Sequence, residues 1–404
     1  MVERFRPASR TAADGIGEVL RAIVGPDHVR LATDADAVAG VVPLVVAEPA
    51  DERQTASVLR CANQAGLAVI PAGGGTKLEW GNPPRQADVI LSMRRQNQIL
   101  EHAWADLTVT VQAGCTIAEL QRALAQHGQR LAIDPLWPER ATVGGMLATN
   151  DSGALRLGFG SLRDLIIGVT LALADGTVAS SGGKVVKNVA GYDLPKLATG
   201  SLGTLGVITR AVFRLHPLPR RTLTLTAEFG NPAAMQRAIL SILGAQLALS
   251  AIQVRQATAV DLLLEGTEDG IAAQQSALMK IAAFSESSHS VWNARQSVCA
   301  DGNGTLVKFS VLPSRIATAF ESLAKLGGDG AVIPATGIGY ARVEGDLAGL
   351  RKAIEQDGGS LAILGRRDLD AWGSAGDALP LMRAVKQQFD PKSTLNPQRF
   401  VGGI

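Results

Sequence analysis

The sequence is poor in the residues that build metal centres. Three cysteines, Cys61, Cys115 and Cys299, lie far apart with no paired spacing. That excludes an iron–sulfur cluster or zinc ribbon made by this chain alone, and all three read as small buried hydrophobes. The five histidines, at 28, 102, 127, 216 and 289, are equally scattered, and no two have the spacing of a local metal pair. No metal site is expected. An excess of charge is missing too. A formal net charge of +2, with no basic cluster beyond Arg214, Arg220 and Arg221, excludes nucleic acid or an anionic membrane surface as a partner. Long apolar runs are absent, each being broken by Gly, Asp or Arg well short of a span, and the start, Met1-Val-Glu-Arg-Phe-Arg-Pro7, has no apolar signal region. The expected location is the cytoplasm, without direct insertion in a membrane.

What is present is length, apolar residues and glycine. The 404 residues, 46% apolar and 19% charged, suffice for two or three domains with buried cores. Pro71-Ala-Gly-Gly-Gly-Thr76 follows the apolar run Gly66-Leu-Ala-Val-Ile70, which places three glycines at a strand end, where α/β proteins hold ligands. Curled glycine N–H groups make an anion nest, with Gly74 taken here as the position that needs a positive φ. The loop is neither a Rossmann turn nor a Walker A loop. Thr76-Lys-Leu-Glu-Trp80 runs into Gly81-Asn-Pro-Pro84, so no full helix can start there. An ordinary glycine turn is the competing reading.

Elsewhere the pattern alternates. Residues 11–24 read as a helix with Ile16, Val19, Leu20 and Ile23 on one face. Pro43 to Ala47 reads as a strand, Asp51 as an N-cap, and Val58, Leu59 and Ala62 as the inner face of a helix closed by Gly66. With the strand into Pro71 this completes a βαβ unit. Further strands are expected at 88–91 and 107–111, a helix capped by Thr116, and a hairpin turning at Asp175-Gly176. Thr142-Val-Gly-Gly-Met-Leu-Ala-Thr-Asn-Asp-Ser-Gly153 is a second small-residue stretch; it reads either as ligand-facing or as tight packing of a short helix. Gly200 to Gly206 is a third. After Pro217-Leu-Pro219 the texture shifts to alternating Leu223-Thr-Leu-Thr and alanine-rich helical segments at 231–248, 269–283, 315–326 and 346–356, the pattern of an antiparallel sheet covered by helices. A last helix, Leu379 to Phe389, leads into a turn-rich tail that reads as docked.

Taken together, these motifs resemble the FAD-linked oxidases related to vanillyl-alcohol oxidase, and within them the FAD-binding subunits of bacterial glycolate oxidases. The resemblance rests on Pro71–Thr76, Thr142–Met146 with Ala148–Asn150, Arg163–Leu165 with Gly182–Asp193, Gly200–Ile208, and the ending Phe389-Asp-Pro-Lys with Leu395-Asn-Pro. It implies an α+β fold: a two-part α/β FAD-binding domain of the PCMH type over 1–218, an antiparallel-sheet-and-helix cap domain over 219–376, and a segment 377–404 docking back. It implies that Pro71, Ala72, Gly73, Gly74, Gly75, Thr76 and Lys77 wrap the FAD pyrophosphate. Gly144, Gly145, Thr149 and Asn150 would line the flavin and ribityl side, with Thr142 and Gly153 also at the cofactor, and Gly206, Val207 and Ile208 would meet the adenine or flavin through the main chain. Relatives with covalent flavin carry a histidine near the first glycine loop; none lies between His28 and His102, so FAD is expected to be non-covalent.

Relatives that oxidise 2-hydroxy acids pair a Trp-x-x-Arg segment with a lysine, as Trp292-Asn-Ala-Arg295 and Lys308 do here. They also hold a divalent metal with histidine and glutamate motifs, where this chain reads Thr336-Gly-Ile-Gly-Tyr-Ala-Arg342 and Gly358-Gly-Ser-Leu-Ala-Ile-Leu364. The candidates for a catalytic residue are Arg295, Lys308 and Tyr340, and a structural ion pair or a solvated face is the competing reading for Arg295 and Lys308. Asp301-Gly-Asn-Gly304 reads as a hairpin turn. The resemblance implies an FAD-binding subunit of a heteromeric glycolate oxidase, acting in electron transfer or assembly beside a sister FAD-linked subunit that oxidises the small 2-hydroxy acid and an iron–sulfur subunit. Membrane association would come through partners. The alternatives are a free-standing FAD-dependent 2-hydroxy-acid oxidoreductase and a structural subunit whose FAD cleft stays empty.

Overall fold

The computed structural model describes residues 10–184, 192–300, 302–333 and 336–404. Part of the Gly182–Asp193 motif, and Asp301 of the expected hairpin turn, lie outside these. The expected βαβ unit forms as read. Asp51 caps the helix Glu52–Ala65 by accepting from Gln54 N–H at 2.7 Å, and Gly66 ends it in the left-handed region at φ 68°, a conformation that costs other residues steric strain. The helix packs on a four-stranded sheet ordered Val29–Leu31, Val45–Ala47, Val89–Ser92, Val69–Ala72, whose last three strands are parallel. Three- and four-residue strands hold because both faces are buried, one through Val45, Val69, Val89 and Leu91 against Val58, Leu59 and Leu20, the other through Val46, Ile70 and Ile90 against Val38 and Ala87.

A five-stranded antiparallel sheet follows, ordered Ile99–Ala103, Thr108–Gln112, Val207–Arg214, Ile166–Ala172, Val178–Gly182. Its inner face meets the helix Ile117–Ala125, opened by a Thr116–Glu119 capping box, and the short helix Val143–Thr149. Cys115 and Cys299 are buried, as read from the sequence, whereas Cys61 is only half-buried. Burial pushes the Cys115 thiol up to about 11 and the Cys299 thiol up to about 12, which keeps both in the unreactive thiol form.

From Arg221 the chain builds an eight-stranded antiparallel sheet, ordered Ser285–Glu286, Arg221–Glu228, Ala259–Gly266, Leu249–Arg255, Asp329–Ile333, Ile338–Val343, Thr305–Ser310, Ser360–Leu364. The helices Pro232–Gly244, Ile316–Ala324 and Leu347–Gln356 bury Ile239, Phe320 and Leu350 in one core with its Leu262, Val307 and Ile363. The end of the chain returns to the first sheet: Val69 N–H donates to Thr394 O at 2.8 Å, and Asn396 N–H to Val69 O at 3.0 Å. Among the described residues no helix is long and apolar enough to cross a membrane.

Candidate functional site: a glycine cleft and a buried cation cluster

Strand Val69–Ala72 delivers the glycine loop at its C-terminal end. The N–H groups of Gly73, Gly74, Gly75 and Thr76 donate to no acceptor among the described residues. The positive φ falls on Gly75, at 75°, and not on Gly74 as read from the sequence. Gly74 is required for another reason: a Cβ there would lie 1.6 Å from the Arg140 carbonyl oxygen, and one at Gly73 would lie 2.0 Å from Thr142 Oγ1. The loop is pressed against the segment that opens the helix Val143–Thr149, and only glycine fits.

That helix supplies the facing wall. Thr142 caps it through Gly145 N–H at 3.3 Å. Gly144 packs backbone-close, its N–H on Ala113 O at 2.8 Å and a notional Cβ 2.9 Å from Ala113 Cβ. The tight-packing reading of this stretch holds at Gly144, and both Gly144 and Gly145 face the cleft. Gly206, Val207 and Ile208 close one side, and Asn396 and Arg399 of the docked tail another. Arg399 also donates to Leu78 O at 2.6 Å and to Trp80 O, fixing the loop's far end.

Two narrow cavities of about 60 and 70 Å³ run between these walls and, among the described residues, carry no acidic lining residue. Gly75 and Thr76 are shared between the second and a cleft of about 570 Å³ lined also by Trp80, Trp137 and Arg140. Free amides at the narrow part, with no carboxylate beside them, suit a pyrophosphate. The long run from narrow groove to wide cleft suits an extended dinucleotide, so the residues present fit FAD. Of the residues picked out from sequence, Pro71 to Lys77, Thr142, Gly144, Gly145, Thr149 and Gly206 to Ile208 line the narrow cavities. Asn150 and Gly153 do not. Asn150 holds the left-handed C-cap at φ 46° with its Oδ1 buried and unpartnered, and Gly153 is turned onto the carboxylate of Asp134.

Beyond the loop lies a second constellation. Lys77 turns inward and pairs with Asp151 at 3.2 Å, and Arg295, from the short helix Ala294–Cys299, pairs with the same carboxylate at 2.7 Å. Burial opposes the charge on Asp151, but the two cations outweigh it and hold the carboxyl far below its usual range. Lys308 sits with its ammonium 5.9 Å from the Trp80 ring and 5.8 Å from the Tyr340 ring, without a hydrogen bond or ion pair among the described residues. Burial lowers its pKa. The Tyr340 hydroxyl is buried without a well-formed hydrogen bond, and burial, with Asp151 next, pushes its pKa far up. The three candidates Arg295, Lys308 and Tyr340 therefore come together, and the solvated-face reading fails for Arg295, which is 8% exposed and ion-paired.

Asp151, Asp134, Trp80 and Trp137 were not legible as site residues. The single signal was Asp151 itself, a lone charge inside a run of small residues. Among the described residues no three or more of His, Cys, Asp and Glu gather as a metal site.

Comparison with known proteins agrees with this geometry. Residues 43–182 match the FAD binding domain family, and residues 373–400 match the C-terminal domain of the FAD linked oxidases. Glycolate oxidase subunit GlcD of Bacillus subtilis (strain 168) is 34% identical over 206 residues, 51% of this chain and 44% of the relative. D-lactate dehydrogenase of Archaeoglobus fulgidus is 37% identical over 186 residues, 46% of this chain and 41% of the relative. The match thus spans less than half the length of these curated relatives. In fold the chain is similar to alkyldihydroxyacetonephosphate synthase, at a TM-score of 0.74 and 18% identity over 98% of this chain and 86% of that one. It is also similar to p-cresol methylhydroxylase, at 0.75 and 15% over 97% of both. Residues 43–182 thereby carry an FAD binding domain, and residues 373–400 are similar to the C-terminal domain of the FAD linked oxidases.

Proposed function

We propose that the chain is the FAD-carrying subunit of a heteromeric 2-hydroxy-acid oxidoreductase, acting on glycolate through the complex. Its own part is electron transfer or assembly, and oxidation to glyoxylate takes place in a sister flavosubunit that hands electrons to an iron–sulfur subunit. A cytoplasmic location, with any membrane contact made by partners, belongs to the same reading, as does a division into domains at 218/219 and 376/377.

One observation carries it. Removing a hydride from a 2-hydroxy acid requires a group that takes the hydroxyl proton and a cation that holds the carboxylate. Here the carboxylate of Asp151 is consumed by two cations, the guanidinium of Arg295 is consumed by Asp151, and the Tyr340 hydroxyl is pushed far above neutral pH. Bound FAD supplies a two-electron acceptor. The chain's own residues hold it: the amides of Gly73–Thr76 bind the pyrophosphate, and Trp80 and Trp137 shield the wide cleft from water.

A free-standing oxidoreductase is the second reading, favoured by Lys308, whose pKa is lowered toward that of a general base. Mixing the FAD-loaded chain with glycolate or D-lactate and an artificial acceptor separates the two. Turnover absent from the chain alone, and present on reconstitution with its partners, supports the first; turnover by the chain alone overturns it.

A further inference from the structure

Asp151 lines neither the narrow cavities nor the wide cleft, yet it stands at the centre of the cation cluster with its side chain wholly out of solvent. Both oxygens are occupied: Oδ1 by Arg295 at 2.7 Å, and Oδ2 by Lys77 at 3.2 Å and by the N–H of Leu136 at 3.2 Å. Arg295 does not depend on this carboxylate for its position. Its guanidinium also donates to Ser152 O at 3.0 Å and to Asp134 O. Those two carbonyls would keep it aimed inward if the carboxylate were gone.

The other nearby acid offers little competition. The Asp134 carboxylate is turned away onto the N–H groups of Gly153, Ala154 and Leu155, at 3.0, 2.5 and 3.4 Å, and burial raises its pKa. Lys308 has no ion-pair partner among the described residues, its ammonium standing 5.8 Å from the Tyr340 ring. A fixed guanidinium flanked by two ammonium groups and one backbone N–H is the donor set of a carboxylate receptor. It also has a way in: a cavity of about 340 Å³ reaches Arg295 and Tyr340 between Leu136, Leu155 and Trp292.

We propose that this receptor is filled by the chain itself. Asp151 is a built-in carboxylate occupying a site of the size and charge for a small external monocarboxylate, so the native cleft is closed to the acid end of a 2-hydroxy acid, and loss of the 151 carboxylate opens it. The proposal draws on the preceding functional reading only in the choice of glycolate as one ligand. Its acetate arm stands or falls without it.

The test uses the full-length FAD-loaded protein and the variants D151A and D151A/R295M. Calorimetric titration with acetate and with glycolate should show no saturable binding to the native chain, saturable binding to D151A, and none to D151A/R295M. In parallel, acetate should raise the melting temperature of D151A by several degrees beyond potassium chloride at equal ionic strength, and leave the native chain unmoved, because the added anion restores the missing pair. If D151A accumulates poorly, acetate or formate in the growth and purification buffers should recover soluble protein; no recovery counts against the proposal. Saturable binding of glycolate by the native chain that R295M abolishes would overturn it, as would equal stabilisation of D151A by chloride and acetate. A response to acetate without one to glycolate would keep the receptor and reject the 2-hydroxy-acid reading.

Discussion

At the scale of single residues, the glycine loop separates two demands that the sequence presents as one run. Gly74 faces the Arg140 carbonyl oxygen, a backbone atom that cannot swing aside, so Gly74→Val should leave purified protein without flavin, read from its absorbance spectrum. Flavin content equal to that of the native chain would show that this loop is not the cofactor's. Gly75 is different, since a Cβ there would meet only Leu78 Cδ1 at 3.9 Å. Gly75→Ala should retain flavin and cost about 1 kcal/mol of left-handed strain, visible as a small fall in the urea midpoint. The run Gly73–Gly75 was legible, but its division of labour was not, because Arg140 and Thr142 approach from a distant part of the chain. Lys308 gives a pH signature at the same scale. Its folded-state pKa lies below the unfolded 10.5, so between those values the unfolded chain binds more protons and stability rises with pH. The difference in urea midpoint between Lys308→Met and the native chain should therefore shrink as pH climbs toward 10.5; a difference independent of pH would mean that the ammonium is hydrated.

At the scale of elements, the helix Leu379–Phe389 and its tail act as a clasp on the glycine loop. Lys386 is 5% exposed and donates to Thr204 O, Asp390 and Leu395 O at 2.7, 2.6 and 3.0 Å. Asp390 in turn accepts from the N–H groups of Thr394 and Leu395. Lys386→Met leaves that carboxylate buried and without its cation, a loss of about 3–5 kcal/mol by the usual cost of breaking a buried pair. Because Asn396 and Arg399 border the cleft, the same variant should shed flavin faster on dilution. Unchanged stability would show that the clasp is not needed. A docked tail was legible from Asp390-Pro and Asn396-Pro, and strand Arg221–Glu228 from its alternation, whereas the order of the eight-stranded sheet was not. Strands Thr305–Ser310 and Ile338–Val343 become neighbours through long-range pairing that no local pattern encodes.

At the scale of the whole molecule, the two halves meet across ion pairs that no local motif announces: Arg295 with Asp151, and Arg130 with Glu265 in a two-pronged contact at 2.8 and 2.5 Å. Between them the eight-stranded sheet turns an apolar wall toward the cofactor half. Tyr340 and Leu364 pack with Trp80, Leu136 and Cys299, while Ile363 faces the large core behind. Side chains of this kind give a divalent ion neither imidazole nor free carboxylate; the buried acids Asp151 and Asp134 are engaged by cations and by backbone amides, and Glu79, which lines the wide cleft, is met by Arg367 and by Ala39 N–H. Titrating zinc or manganese into the FAD-loaded protein should therefore give no stoichiometric binding and no change in the flavin spectrum. Anaerobic glycolate should leave the flavin oxidised, since the wall offers no group that both holds the acid and takes its hydroxyl proton. Acid precipitation should release all the FAD into the supernatant, the glycine loop having no histidine to tether it. Flavin left on the precipitate would locate a covalent link elsewhere. Rapid bleaching by glycolate that Lys308→Met abolishes would identify that lysine as a working base, and would place the catalytic step in this chain.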